Sequence, residues 1–303
     1  MGEPLEAQEI GAVTVLYGER RGKYPHGNTL LVRGRSESLL IDPSLGVVAR
    51  PPAERPRVDR VLHSHCHEDH FAGSFLYPDA PWHFHEADLP GIRSLDALMH
   101  LYGYPEPILS PWRKTVVERF NFRPRPDALG FRGGDRFELG GGVAVEVIHA
   151  PGHTRGHCFF RILPDDVVYL ADVDLSSFGP YYGDAWSELE DFERTLAAAR
   201  ALDARHYATF HHIGVIDGRA GYLEKLERFA AVIADREARL LAYLGEPRTL
   251  EEVVQHRFVY RPQDPVPFAS AVERRSMSQH LTRLVRGGRV REIERGHYLR
   301  SDA

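Results

Sequence analysis

V-L-H-S-H-C-H-E-D-H, Val61 to His70, holds four residues, His65, His67, Asp69 and His70, in the pattern H-x-H-x-D-H. Imidazole nitrogens and carboxylate oxygens are the donors that borderline-soft divalent metals such as zinc accept. His65 and His67 are two positions apart, so at an extended strand end they point the same way. Asp69 and His70 are adjacent and cannot share a direction in regular structure. The spacing therefore divides the donors, with one group for one metal and the following turn for a second. Seventeen histidines in 303 residues make some clustering ordinary. A histidine-rich surface loop does not explain three ligand-type histidines and an aspartate within six positions, directly after the apolar pair Val61-Leu62.

Bulk composition bounds the rest. A chain of this length holds one large domain, or one domain with a small appendage. Hydrophobic content of 43% and charged content of 27% are ordinary for a soluble globular protein. A net charge of −5 gives no general attraction to nucleic acid. Two cysteines, Cys66 and Cys158, cannot build a disulfide framework. No apolar run approaches the ~20 residues needed to span a bilayer. The acidic start M-G-E-P-L-E-A-Q-E lacks the apolar centre of a secretory signal. The expectation is a cytoplasmic protein without a membrane partner.

Short strands are expected at Val13–Tyr17, Thr29–Val32 and Ser38–Ile41, joined as an antiparallel meander, and at Val58–Leu62, which delivers the histidine cluster at its end. Residues 89–122 carry Tyr102, Tyr104, Trp112, Phe120 and Phe122, several prolines and two expected helices. That stretch reads either as a lid over a site or as a helical layer packed on a sheet. Gly140-Gly141-Gly142 turns a hairpin whose second strand, Val143–Ile148, leads into H-A-P-G-H-T-R-G-H. Val167–Leu170 ends at A-D-V-D, and His206–Phe210 ends at H-H-I-G. Long helical periodicity covers Tyr222 to Leu244. After Gly245 a capping box, Thr249 with Glu252, opens a short helix. A second helix over Ser276–Val285 and a small hairpin complete the outline of a winged helix.

Four strand ends thus present ligand-type residues: His65/His67/Asp69/His70, His153, Asp172 and His211/His212. On S-H-C-H-E-D-H, A-P-G-H-T-R-G-H, L-A-D and F-H-H-I-G-V-I the chain resembles the metallo-β-lactamase fold superfamily from about Val13 to Leu244. The resemblance implies an α/β fold, a four-layer αββα sandwich with metals at one edge. It implies a catalytic domain over residues 1–244, with a helical insertion at about 89–122, followed by a winged-helix-like domain over 245–303. It also implies two divalent metal ions. His65, His67 and His153 map to one, Asp69, His70 and His212 to the other, and Asp172 bridges them. Zinc is the default ion, and iron and manganese suit the same donors. Two departures stand out. Ala171 replaces the usual glycine before the bridging aspartate, with Asp174 as a nearby competitor. The last motif offers two histidines, of which His212 fits the spacing to Val215-Ile216 and His211 is second choice.

Two cations lower the pKa of a bridging water from ~15.7 towards ~7 and stabilise charge on a carbonyl or phosphoryl oxygen. The expected activity is attack of metal-bridging hydroxide on a small ester, thioester, lactone or amide, with Asp69 both ligand and catalytic orienter of the nucleophile. Cys66 is expected to face away from the metals and pack. His157 is expected to support a ligand or face substrate, and His63 and His149 to be structural. The alternative is an endoribonuclease or phosphodiesterase. The C-terminal region also resembles the appendage of lactamase-like endoribonucleases, and residues 248–303 hold 11 arginines against 7 acidic groups. That excess is small, so a small-molecule substrate is favoured over nucleic acid, and a second copy of the chain is a further candidate partner. A DNA-binding regulator on a borrowed fold does not need a full ligand set.

Overall fold

The computed structural model describes residues 6–301. The first five residues of the acidic start lie outside this range, as do the last two of the chain.

Apolar residues on alternate strand positions build two facing sheets. The first has seven strands in sequential order: β1 (Ala7–Ile10), β2 (Val13–Leu16), β3 (Thr29–Arg33), β4 (Ser38–Ile41), β5 (Arg60–Leu62), β6 (Trp82–His85) and β7 (Leu129–Phe131). β1 to β4 form the expected antiparallel meander, extended by β1, and β4 to β7 run parallel. The second contains β8 (Arg136–Gly140), β9 (Val143–His149), β10 (Cys158–Leu163), β11 (Val167–Tyr169), β12 (His206–Ala208) and β13 (Val215–Asp217) in the order β13-β12-β11-β10-β9-β8.

Side chains at period two sort themselves between layers. Leu30, Val32, Leu39, Ile41 and Leu62 point between the sheets and meet Val145, Val147, Phe160, Ile162 and Tyr169. Their neighbours Leu31, Leu40 and Val61 point outward, into a cluster with Ile92, Leu98, Leu101 and Trp112. That outer cover comes from α4 (Leu89–Arg93), α5 (Leu95–Tyr102) and α6 (Leu109–Glu118), three helices where two were expected. They follow three short ones, α1 (Glu19–Gly22), α2 (Leu45–Ala49) and α3 (Glu68–Phe71). Residues 89–122 are therefore a helical layer, and only its edge reaches the site. The second sheet is covered by α7 (Leu189–Ala199) and α8 (Arg219–Tyr243), through Phe192, Leu196, Tyr222, Leu226, Phe229 and Ile233. The result is the four-layer α/β sandwich.

α8 outlasts the sheet it covers. Its last turns place Leu240 and Leu241 in a separate cluster with Leu244, Val253, Met277, Leu281 and Leu284. The partners lie on α9 (Leu250–His256) and α10 (Ala269–Arg286), beside a small sheet of β14 (Arg248–Thr249), β15 (Val290–Glu294) and β16 (His297–Arg300) in the order β14-β16-β15. The Thr249/Glu252 capping box is present. α10 starts earlier than Ser276, because Ala269 is already buried and Phe268 packs half-buried against the body of the protein. Among the described residues, no helix is long and apolar enough to cross a membrane.

Charge fastens α10 to the sandwich. Arg283 donates to Glu193 on α7 (2.8 Å) and to Glu237 on α8 (2.6 Å), and the His280 ring lies 3.3 Å from Glu237. The hydrogen bond with His280, and then the Arg283 guanidinium, pull the Glu237 carboxyl down to about 2 against the effect of burial. A folded-state pKa below the unfolded value contributes stability that is complete above the unfolded value and fades as pH falls through the folded one. The contribution of Glu237 is therefore full above about pH 4.5 and lost towards pH 2. Glu237→Gln should flatten that part of the acid limb in a denaturant series at stepped pH. An unchanged limb would contradict the tie.

Candidate metal centre

The ends of β5 in the first sheet and of β11 and β12 in the second converge with one hairpin loop at one rim of the sandwich. β5 delivers His65 and His67, and α3 follows at once with Asp69 and His70. The loop between β9 and β10 carries His153. Asp172 follows β11, and His211 follows β12, the neighbour of β11 in the sheet. All six of the site residues other than Asp172 are buried, and Asp172 is nearly so.

Two donor groups form. His65, His67, His153 and Asp172 make one, and Asp69, His70 and His211 the other. In the first, His67 Nδ1 lies 3.0 Å from His65 Nε2 and 2.9 Å from His153 Nε2, and the last two are 3.2 Å apart. In the second, His211 Nε2 lies 3.1 Å from Asp69 Oδ2, and His70 Nε2 lies 3.9 Å from Asp69 Oδ1. Asp172 faces both: Oδ2 is 3.2 Å from His153 Nε2, and Oδ1 is 2.9 Å from His70 Nε2.

His211, and not His212, joins the second group, which corrects the expectation from the spacing to Val215. Strand β12 ends at Ala208, and the chain continues through Thr209-Phe210 so that His211 faces Asp69. His212 then takes a left-handed backbone conformation (φ 58°), turns away, and stays half-buried outside both groups. Asp174, the competitor of Asp172, stays outside both groups and accepts hydrogen bonds from Ser176 instead.

The outer nitrogen of every ligand-type imidazole is committed. His65 Nδ1 meets Ser64 Oγ (3.0 Å), whose own proton goes to Asp42 Oδ2 (2.6 Å). His70 Nδ1 meets Asp42 Oδ2 (2.9 Å), and His67 Nε2 meets Asp184 Oδ2 (3.0 Å). His153 Nδ1 donates to the Tyr181 carbonyl (2.9 Å) and His211 Nδ1 to the Gly22 carbonyl (2.7 Å). An acceptor outside fixes the proton on the outer nitrogen, so the inner nitrogen of the neutral ring presents a lone pair. Five inner lone pairs and the Asp69 and Asp172 carboxylates thus face one shared space.

Lone pairs about 3 Å apart repel unless a cation lies among them. Tetrahedral donors at the ~2.0–2.1 Å bond length of zinc to nitrogen sit ~3.3 Å from one another, close to the spacing of the three-histidine group. His70 Nε2 and Asp172 Oδ1 are buried 2.9 Å apart and have no further hydrogen-bond partner, as expected of donors meant for an ion. The donors therefore fit divalent metal ions. In the protein alone, protons do part of that work. Burial works against the charged form of His211, yet Asp172 and Asp69 bring it up to about 9. His70 is raised well above its ordinary value by Asp172, Asp42 and Asp69 over the same opposition.

Other groups brace this arrangement. Asp42 also accepts from the Ser64 N–H (2.7 Å) and the Tyr169 hydroxyl (2.7 Å). Asp88 accepts from the Cys66 N–H, the Thr154 hydroxyl and the Gly156 N–H, tying the two histidine loops together. Asp42, Asp88 and Asp184 were not singled out from sequence. Asp42 did carry the signal used elsewhere, a polar residue ending the apolar strand Leu39-Leu40-Ile41. His157 supports a ligand: its Nε2 accepts from the Asp172 N–H (3.3 Å), and its Nδ1 therefore donates to the Ala150 carbonyl (2.9 Å). Burial, then the His153 charge, push His157 down to about 3 and keep it neutral. Cys66 is fully buried against Gly91 of α4, as expected of a packing residue. His63 stacks on Phe84 and bonds to Ser74, also as expected.

An aromatic wall stands beside the donors. Tyr102 stacks on His67 at 5.7 Å and donates to Glu68 (2.6 Å), and Tyr24 lies 6.4 Å from His211 and donates to the other Glu68 oxygen (3.0 Å). Tyr104 and Trp112 back Tyr102, and Tyr181 meets His153 edge-on. Burial, then the charge of Asp69, push Glu68 up to about 7.

Residues 24–231 match the family described as the Metallo-beta-lactamase superfamily. A relative, uncharacterized protein Rv2581c of Mycobacterium tuberculosis, is 29% identical over 157 residues, which cover 48% of this chain and 65% of that protein. The chain thus spans about two thirds of the length of that relative. Among solved structures, the metallo-beta-lactamase family protein TTHA1429 from Thermus thermophilus superposes with a TM-score of 0.70 at 24% identity, over 95% of this chain and 98% of that one. A beta-lactamase domain protein from Burkholderia ambifaria superposes with a TM-score of 0.67 at 17% identity, over 99% and 95%. At these identities the two structures share the fold. With the family match spanning well over half of its residues, the chain belongs to the metallo-β-lactamase superfamily, whose members are generally hydrolases.

Proposed function

We propose that the chain is a dinuclear metal-dependent hydrolase acting on the carbonyl of a small ester, thioester, lactone or amide. In this reading His65, His67 and His153 hold one ion, Asp69, His70 and His211 hold the other, and Asp172 serves both. Zinc is the proposed ion, from the preponderance of imidazole nitrogen. The observation that carries the substrate class is the aromatic wall of Tyr24, Tyr102, Tyr104, Trp112 and Tyr181 beside the donors. Such a wall suits a small organic acyl group and excludes water from it.

When bound, the two cations supply Lewis acidity, lowering the pKa of water from ~15.7 towards ~7 and drawing charge from a carbonyl oxygen. The chain contributes orientation and proton placement. Burial opposes ionisation of Asp69, but His70 and His211 hold its carboxyl below the ordinary range. It stays an acceptor at neutral pH and can orient the attacking water through a hydrogen bond.

A nuclease reading has less support. Of the eleven arginines after residue 247, seven (Arg248, Arg261, Arg274, Arg275, Arg283, Arg286 and Arg289) lie in ion pairs with carboxylates of the same chain. Charge already neutralised in this way adds little to phosphate binding. The winged-helix-like module over 245–303 is proposed to serve the fold and the site rather than RNA.

Elemental analysis after gel filtration tests the ligand set. His211→Ala should lose about one of two metal equivalents and His212→Ala neither, and the reverse pattern would overturn the assignment. A panel of thioesters, esters and lactones tests the chemistry. Turnover should vanish on chelation and return with metal, and Asp69→Asn should lower kcat by ~10²–10⁴-fold, the range for lost proton placement. No metal-dependent turnover on the panel, with salt-dependent retention of single-stranded RNA on a filter, would replace this reading with the nuclease.

A further inference from the structure

Residues 181–189 supply the outer contacts of the His67/His153 side. The Tyr181 carbonyl accepts from His153, Asp184 Oδ2 lies 3.0 Å from His67 Nε2, and the Ser187 hydroxyl donates to the His153 carbonyl (2.7 Å). Between Tyr181 and Glu188 this segment has neither helix nor strand, so its buried backbone groups need partners from elsewhere. Helix α10 provides four of them, while the Ala185 and Trp186 N–H groups donate to the Tyr102 and Leu101 carbonyls of α5 and the Glu188 N–H to the Gly152 carbonyl. Arg275 Nε donates to the Asp184 carbonyl (3.2 Å), and its terminal nitrogen donates to the Ser187 carbonyl (2.8 Å). Gln279 donates to the Tyr182 carbonyl (3.0 Å) and accepts from the Leu189 N–H (2.7 Å). The approach is close at Gly183, where a Cβ would come within 2.3 Å of Val272 Cγ1.

The other half of the site is braced differently. His70 rests on Asp42, and His211 on the carbonyls of Gly22 and His26, all of which lie before β5. None of these three braces lies on α10 or on the segment that α10 holds.

We infer that α10 positions one half of the metal centre and not the other. Arg275 and Gln279 are positioning residues. They hold the backbone of 182–189, and through Asp184 and Tyr181 that backbone fixes the rings of His67 and His153. The C-terminal module therefore sets the affinity of the three-histidine group. This rests on the two-metal reading above and deepens it. It also gives the module a role that needs no nucleic acid.

The test is a competitive titration of zinc against a chromophoric chelator on the full chain, resolving two stepwise constants. Loss of groups that orient ligands lowers metal affinity by ~10–100-fold. The double variant Arg275→Ala/Gln279→Ala should weaken one equivalent by about that factor and leave the other within about twofold. Repeated on a His211→Ala background, the titration should reveal the same loss in the equivalent that remains. Arg283→Ala is the comparison, because it cuts ties from the same helix to Glu193 and Glu237 without touching 182–189. It should lower Tm and leave both constants unchanged. If the double variant fails to fold, Ser187→Ala removes one contact of the same path and should weaken the same equivalent. Both constants unchanged, both falling together, or the same selective loss in Arg283→Ala would overturn the inference. A wild-type chain that binds fewer than two equivalents would overturn the two-metal reading, and the inference with it.

Discussion

Asp172 faces two groups of imidazoles at once, one through each oxygen, and the construction of the rim follows from satisfying it. A buried carboxylate loses several kcal/mol of hydration. The loss is recovered only if positive charge lies within contact distance of both oxygens. His153 on one side and His70 on the other stand where such charge is needed. Each of those rings must then be held so that its inner nitrogen is bare, which requires an acceptor behind it. The Tyr181 carbonyl and Asp42 are those acceptors. The chemistry at the centre thus dictates polar groups two layers out, and those groups come from distant parts of the chain.

That outward spread ties the fold to the site. Asp42 sits at the end of β4, where its left-handed backbone (φ 50°) turns the chain so that the carboxylate serves Ser64, His70 and Tyr169 together. Asp88 joins the loop after β5 to the loop after β9, bringing residues of the two sheets to one rim. On the opposite side the segment 181–189 has no sheet to lean on and is held by α10 together with the Leu101, Tyr102 and Gly152 carbonyls. Both halves of the centre lean on Asp42, through His65 and His70, and the His67/His153 side alone leans on the C-terminal helix as well.

The central part of this was legible in the sequence because metal chemistry restricts residue types so strongly. Three histidines and an aspartate in H-x-H-x-D-H, then His153 and Asp172 at later strand ends, needed no structure to be grouped. The meander, the glycine hairpin and the capping box at Thr249 were legible for similar reasons, each set by short-range chemistry. What escaped was decided by the fold in three dimensions. His211 and His212 are adjacent, and only the left-handed turn at His212 selects between them. Asp42, Asp88 and Asp184 are single carboxylates in loops, and their roles arise from contacts with residues far away in the chain, as between Asp42 and Tyr169. Strands β1 and β7 lie at the edges of their sheet, where the apolar pattern is weak: Leu129 is exposed, and β1 alternates between exposed and half-buried residues. Of the two readings open for 89–122, a lid or a helical layer, the layer of buried helices is the one the fold takes, because the aromatic residues serve packing and the site wall with the same atoms.

The proposed centre requires two cations sharing Asp172. Crystals grown with zinc, with diffraction recorded on both sides of the zinc absorption edge, would test it most directly. Anomalous difference density should contain two peaks ~3.5–4 Å apart, the separation of paired-metal hydrolytic sites. One peak should lie among His65, His67 and His153 and the other among Asp69, His70 and His211, with Asp172 between them. A single peak, or a second one bound to His212 and clear of Asp172, would rule out the shared centre.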